Sequence, residues 1–374
     1  MRLQSILAAT TAAFIAAGTM AVQAQEEPVR IAAIAPLSGP GAFDGQLAVE
    51  GMEAMVAIVN ENGGVLDGRM LELVTYDDKG SPEEGVSAAK RAIEQDDVDV
   101  IVGGWFSSVA LTMKEVTRDR ILTIMTTSQH PDTTREGHDW LFRLNATSTM
   151  MSGAYSQFIC DRMDLESIAF ITINDDYGRL EVENYEKLLS ECGIEVLGNE
   201  YYNKDDADFT TALTKLRAAN PDAIYVSAIN TAQGATIYRQ IRQVGYRGTT
   251  IASAGNMNPK LVELSGPALE GVYSVSLFAP DSQDPELLAW VAKYEEMFDN
   301  EPSFIGSIGA QSIEVLAEAI DAAGTVRDYG ELAETIRGNE WDTLLGNVTF
   351  DDIGQAEQNI YLIQIQDGKI ASVN

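Results

Sequence analysis

From Arg30 to Ile93 the spacing of apolar positions switches between an unbroken run and a helical period, twice over. The run after Arg30 ends in the turn Ser38-Gly39-Pro40-Gly41, and an amphipathic stretch follows up to Asn62-Gly63-Gly64. A second run closes at Asp77-Asp78, and another amphipathic stretch opens with Ser81-Pro82-Glu83-Glu84. Serine before the first turn, proline inside it and acidic residues beside it are the usual opening of a helix, and glycine the usual stop. The spacing predicts a β-α-β-α unit.

The alternation continues almost to the end. Strands are predicted over residues 98–103, 122–126, 167–172, 195–202, 223–227 and 249–252, and helices over 107–120, from Met150, and over 180–192, 209–219 and 232–244. Strands that alternate with helices argue for parallel sheets covered on both faces, and two successive series argue for two such sheets. The tail departs from this, with helices over 285–298, 305–323 and 329–337 before strand-like segments at 346–350 and 361–366.

Several segments, in this order and spacing, resemble type I periplasmic solute-binding proteins of ABC importers, the leucine/isoleucine/valine-binding family. They are Pro36-Leu37-Ser38-Gly39-Pro40, Asn60-Glu61-Asn62-Gly63-Gly64-Val65, Tyr76-Asp77-Asp78, Ser107-Ser108, Asp176-Tyr177-Gly178, Asp208-Phe209, Ala219-Asn220-Pro221-Asp222, Gly271-Val272 and Thr349-Phe350-Asp351. The resemblance implies an α/β fold of two doubly wound parallel-sheet lobes joined by a three-strand hinge. The segments matching the crossings are 142–146, 276–280 and 348–354. Residues 25–146 and 279–347 then form lobe I, and 147–278 and 348–374 lobe II.

The start of the chain fits that class. Arg2 precedes an apolar run from Ile6 to Ala17, and Val22 and Ala24 form a small-residue cleavage site. This is the pattern of a secretory signal peptide, too short to span a bilayer, so residues 1–24 are expected to be removed and the protein to be periplasmic. The remainder is too long for one ordinary core and suits two lobes. The 57 acidic against 25 basic residues would repel nucleic acid and anionic lipid, so neither is an expected partner. Dispersed acidity of this kind suits solubility in a saline habitat. In an exported chain Cys160 and Cys192 are candidates for a disulfide, although their spacing leaves both bonded and reduced states open.

Catalytic signatures are missing. The two histidines, His130 and His138, lie in the loop-like SQHPDTTREGHDW and are expected to be solvated. No metalloprotease, nucleophile-elbow or phosphate-loop motif occurs, and no metal or cofactor is implied. The segment GPGAFDG misplaces the third glycine of a dinucleotide loop. The expected function is therefore binding.

In open α/β sheets ligands sit beyond the carboxyl ends of the strands. The loops there are residues 38–45, 103–108 and 126–129 in one lobe, and 174–178, 229–231 and 254–257 in the other. In Gly103-Gly104-Trp105-Phe106-Ser107-Ser108, glycines allow close backbone approach and Ser107 and Ser108 open a helix whose unpaired N–H groups favour an anion. The resemblance implies that these serines, with Thr127, Ser128 and Gln129, hold a ligand carboxylate, and that Tyr177 faces the cleft. Three positions depart from the amino-acid-binding pattern. Asp44, beside Phe43, stands where that family has an aromatic residue, Ala254, near Asn256, where it has an ammonium-binding glutamate, and Ile229, beside Asn230, where it has a tyrosine. Either Asp44 replaces the ammonium partner or the ligand carries no ammonium. Trp105, Phe43, Phe106 and Ile229 suit an apolar body.

The sequence thus predicts a monomeric receptor that delivers a small carboxylate-bearing solute to the permease and ATPase of an ABC importer, a hydrophobic amino acid first of all. A ligand-sensing subunit of a signalling system, or a binder of aromatic or aliphatic acids or amides, is the alternative.

Overall fold

The computed structural model describes residues 27–39, 41–135, 138–228, 230–254, 257–279 and 281–373. The expected signal peptide and its cleavage site lie outside these residues.

The first sheet is built from β1 (Val29–Ala35), β2 (Leu71–Asp77), β3 (Val100–Gly103), β4 (Thr123–Met125) and β5 (Leu141–Arg143), in the order β2-β1-β3-β4-β5. All neighbours run parallel, with α1 (Ala42–Glu61), α2 (Pro82–Glu94) and α3 (Ser107–Thr117) as crossovers. Its β1 and β3 are apolar on both faces because both are covered.

The chain leaves this sheet after β5 and enters a second series. This contains α4 (Ser148–Arg162), β6 (Ser167–Ile173), α5 (Asp176–Glu191), β7 (Glu195–Tyr202), α6 (Thr210–Ala219), β8 (Ala223–Val226), α7 (Thr231–Gln243), β9 (Thr249–Ala252), α8 (Pro259–Ser265) and β10 (Tyr273–Ser276). It then returns to the first body through α9 (Pro285–Phe298), α10 (Phe304–Ala323) and α11 (Tyr329–Gly338). The return is anchored by the Tyr329 hydroxyl, which donates to the Asp99 carbonyl at 2.9 Å, and by the Trp290 indole, which donates to the Gly51 carbonyl at 3.3 Å. A two-stranded ribbon, β11 (Thr349–Phe350) and β12 (Ala356–Glu357), stays beside β5: Phe350 packs on Phe142 at 5.3 Å, and the Arg143 N–H reaches the Gly354 carbonyl at 2.8 Å. Only then do β13 (Tyr361–Gln366) and β14 (Lys369–Ser372) join the second sheet, whose order is β14-β13-β10-β9-β8-β6-β7.

That sheet is parallel from β7 to β10, but β13 and β14 are antiparallel additions at its edge. The turn Asp367-Gly368, with both residues at positive φ, joins β13 and β14 as a hairpin and matches its twist. A disulfide joins Cys160 at the end of α4 to Cys192 after α5, with Cα atoms 6.0 Å apart. His138 departs from the expectation of a solvated loop residue. It is buried, its Nε2 lies 3.2 Å from the Thr117 hydroxyl, and burial lowers its pKa to about 4. The loop carrying it folds back on α3, where Lys114 donates to the Asp132 and Arg135 carbonyls.

Candidate functional site

The carboxyl ends of both sheets face one another across a cavity of about 540 Å³, mouth included. The first body lines it with Trp105, Phe106, Ser107, Thr127, Gln129, Asn145, Phe304 and Ile305, and the second with Asp175, Tyr177, Ala228 and Ala254. Its lining, mostly apolar with a few convergent polar groups, suits a small organic molecule.

Its polar end is the start of α3. Gly104, at φ +79°, turns the chain sharply after β3, and a Cβ there would meet the Met125 sulfur at 2.5 Å. Phe106 occupies the cap position without a capping side chain, and its carbonyl takes the N–H groups of Val109 and Ala110. The amides of Ser107 and Ser108 make no backbone bond among the described residues. An uncapped helix N-terminus combines unpaired donors with the positive end of the helix dipole. The Ser107 oxygen already accepts from the Ser128 hydroxyl at 3.4 Å and the His130 N–H at 3.3 Å, so its own proton is left to donate. Opposite, the Thr127 hydroxyl donates to the Trp105 carbonyl at 3.2 Å and holds the two loops together.

Two further polar groups border the cavity. Asn145 is fully buried; its amide donates to the Thr127 carbonyl at 2.7 Å, while its Oδ1 has no hydrogen-bond partner. Asp175 caps α5 by accepting the Gly178 N–H at 2.9 Å, and burial raises its pKa. The Tyr177 ring lines the cavity, but its hydroxyl turns inward and donates to Glu181 at 2.9 Å. Glu181 also accepts from Tyr225 at 2.5 Å, and burial raises its pKa to about 6.

Of the residues singled out from the sequence, Trp105, Phe106, Ser107, Thr127, Gln129, Tyr177 and Ala254 line this cavity. Ser108 lies one residue deeper in α3, and Ser128 is buried beneath, bonded to Ser107 and Thr133. Asn230 caps α7 through Gln233, and Phe43 is largely exposed. Ile229 and Asn256 lie outside the described residues. Asp44 does not line the cavity; both its oxygens are engaged by Thr231 of the other body. Sequence reasoning missed Asn145, Ala228, Phe304 and Ile305. The last two come from the first turn of α10, for which the only local signal is the cap Ser303.

Comparison with known proteins agrees with this architecture. Residues 28–369 match the model of the periplasmic binding protein family. The leucine-, isoleucine-, valine-, threonine- and alanine-binding protein of Pseudomonas aeruginosa is 29% identical over 94% of this chain and 92% of its own length. A leucine-binding protein of Thermotoga maritima superposes with a TM-score of 0.84 at 26% identity, covering 92% of this chain and 98% of that one. An ABC-transporter solute-binding protein of Rhodopseudomonas palustris, in complex with benzoate, shares the fold with a TM-score of 0.85 at 20% identity over 93% and 96% of the two chains. The chain belongs to the periplasmic binding protein family. It is a solute receptor of the ABC-transporter type, not an enzyme, and its relatives are of the branched-chain amino-acid-binding kind.

Proposed function

We propose that the protein captures a small carboxylate with an apolar body and presents it to the membrane permease and ATPase of an ABC importer. Capture would close the two lobes about the hinge; the receptor would act as a monomer after cleavage near Ala24. The observation that carries the reading is the uncapped start of α3 beside the unused Ser107 proton, facing walls of Trp105, Phe106, Tyr177, Phe304 and Ile305. Free backbone N–H groups at a helix start, a hydroxyl and Gln129 form a donor set for a carboxylate.

Hydrophobic amino acids are the first class. The unpartnered Asn145 Oδ1 offers an acceptor to an ammonium or other N–H, and the Pseudomonas aeruginosa and Thermotoga maritima relatives are named for binding amino acids of this type. Aromatic carboxylic acids are the second reading. It is favoured by Ala254 in place of an acid, by the engagement of Asp44 and Asp175 with protein donors, and by the aromatic walls. A thermal-shift screen of amino acids, their deaminated analogues, benzoates and neutral amides separates the two, because a ligand of the native state raises apparent stability. Stabilisation by neutral amides alone would overturn the carboxylate assignment.

A further inference from the structure

Arg143, at the end of β5, is fully buried, yet no carboxylate lies at ion-pair distance among the described residues. Its Nε donates to the Gln355 Oε1 at 2.7 Å and its Nη2 to the Thr134 hydroxyl at 3.3 Å. Its Nη1 donates to the His130 carbonyl and lies 3.5 Å from the Ser128 carbonyl. Every one of these partners is neutral. Asp351, the acid whose field reaches it, uses its carboxylate to hold the Ile353 and Gln355 N–H groups, while Arg135 nearby adds positive charge. Burial lowers the Arg143 pKa to about 9, so the group stays charged at neutral pH.

A buried charge answered only by dipoles is destabilising, and an anion brought close to it is correspondingly favoured. The position matters here. The two carbonyls that Arg143 holds belong to Ser128 and His130, which bracket Gln129 in the cavity wall. In a planar trans peptide the N–H points opposite to the carbonyl. Holding the Ser128 carbonyl therefore turns the Gln129 N–H away from the guanidinium, and that N–H makes no backbone bond among the described residues. The His130 N–H, in the same loop, holds the Ser107 oxygen.

We infer that Arg143 is the fixed positive charge behind the anion end of the cavity, and that it makes the site prefer a carboxylate over the corresponding neutral amide. It is a positioning residue, since it touches the loop and not the ligand. The inference rests on the reading that a carboxylate binds at Ser107.

The test adds a counter-charge without removing the arginine. Thr134→Asp is close to isosteric and places a carboxylate at the Arg143 Nη2. Affinities of 4-methylpentanoate and 4-methylpentanamide, and of benzoate and benzamide, would be measured by calorimetry for the wild type, Thr134→Asp and Arg143→Lys. A new charge within roughly 10 Å, at an effective dielectric constant of about 20, changes anion affinity about tenfold. Thr134→Asp should weaken the carboxylate of the binding pair about tenfold and leave its amide within about twofold, while Arg143→Lys keeps the preference at a lower melting temperature. Equal effects of Thr134→Asp on acid and amide would mean that charge at the Arg143 position is not felt at the site, and that result overturns the inference while leaving the carboxylate reading intact. If the wild type prefers the acid in neither pair, the carboxylate reading itself fails and the inference with it.

Discussion

Asp44, in the first turn of α1, grips Thr231, the first residue of α7, across the two bodies: Oδ1 accepts the Thr231 hydroxyl at 2.6 Å and Oδ2 its N–H at 3.1 Å. Asn258 steadies the same hydroxyl with a 2.7 Å bond, and Asp44 is only 1% exposed. The carboxylate thus caps a helix of the opposite body, a contact that requires the two bodies to be together. Each hydrogen bond to a charged group contributes about 1.5–3 kcal/mol.

Asp44→Ala should therefore weaken ligand binding about ten- to a hundredfold, by favouring the open form. The loss should be the same for an amino acid and its deaminated analogue, measured by calorimetry. A loss confined to the amino acid would return Asp44 to the role of ammonium partner.

Packing of α1 on α10 sets where Phe304 and Ile305 stand. A Cβ on Gly51 would lie 2.0 Å from the Gly306 carbonyl, so the helices must part. Overpacking of this kind destabilises by about 1–3 kcal/mol, and Gly51→Ala should also weaken ligand binding. Gly153, in α4, meets nothing within 4 Å, so Gly153→Ala should be neutral or stabilising by up to about 1 kcal/mol. Denaturant melts of both variants check this, and equal stability of the two would contradict the packing account.

Stability should rise on mild acidification. Burial raises Asp44, Asp78 and Glu181 to about 6, above the ordinary values of 3.8 for Asp and 4.5 for Glu. Between those limits these three acids bind more protons in the folded than in the unfolded state, which outweighs the opposite contribution of His138, lowered to about 4, so stability grows as pH falls from about 7 to 5. Asp77 and Asp222 have lowered pKa values, the first opposed by burial but held down by its bonds to Ser38, Leu37 and Lys79, the second held down by Ser167. Their contribution is lost below about pH 4. The melting temperature should peak near pH 5, and Asp78→Asn should flatten the rise; a peak at pH 8 would contradict this.

Salt should act in the same sense. With 57 acidic and 25 basic residues, self-repulsion is screened as the Debye length falls from roughly 30 to 3 Å, so sodium chloride should raise the melting temperature. A flat response would mean that local pairs such as Arg327 with Asp97 and Asp99 already compensate the charge.

Local chemistry made much of this fold legible. The strands β7, β9 and β13 and the helix α9 fall where the spacing of apolar positions puts them. The strand β14 was not predicted, because it is short and carries little period-two signal. The site was less legible where partners are remote. Ser107 and Gln129 lie on consecutive strand ends of one sheet, so a topological rule reaches them. Phe304 arrives from a helix almost 200 residues later, and Asp44 looks like any first-turn acid until Thr231 is folded against it. Arg143 reads as part of a strand, and only burial reveals an uncompensated charge.

The most direct test of the carboxylate site is the affinity of Ser107→Ala for the best ligand of the thermal screen, beside the melting temperature of the unliganded protein. Loss of a charge-assisted hydrogen bond predicts binding weaker by about ten- to a hundredfold, with the apo melting temperature unchanged. Unchanged affinity would contradict the assignment of the α3 start as the seat of the ligand carboxylate.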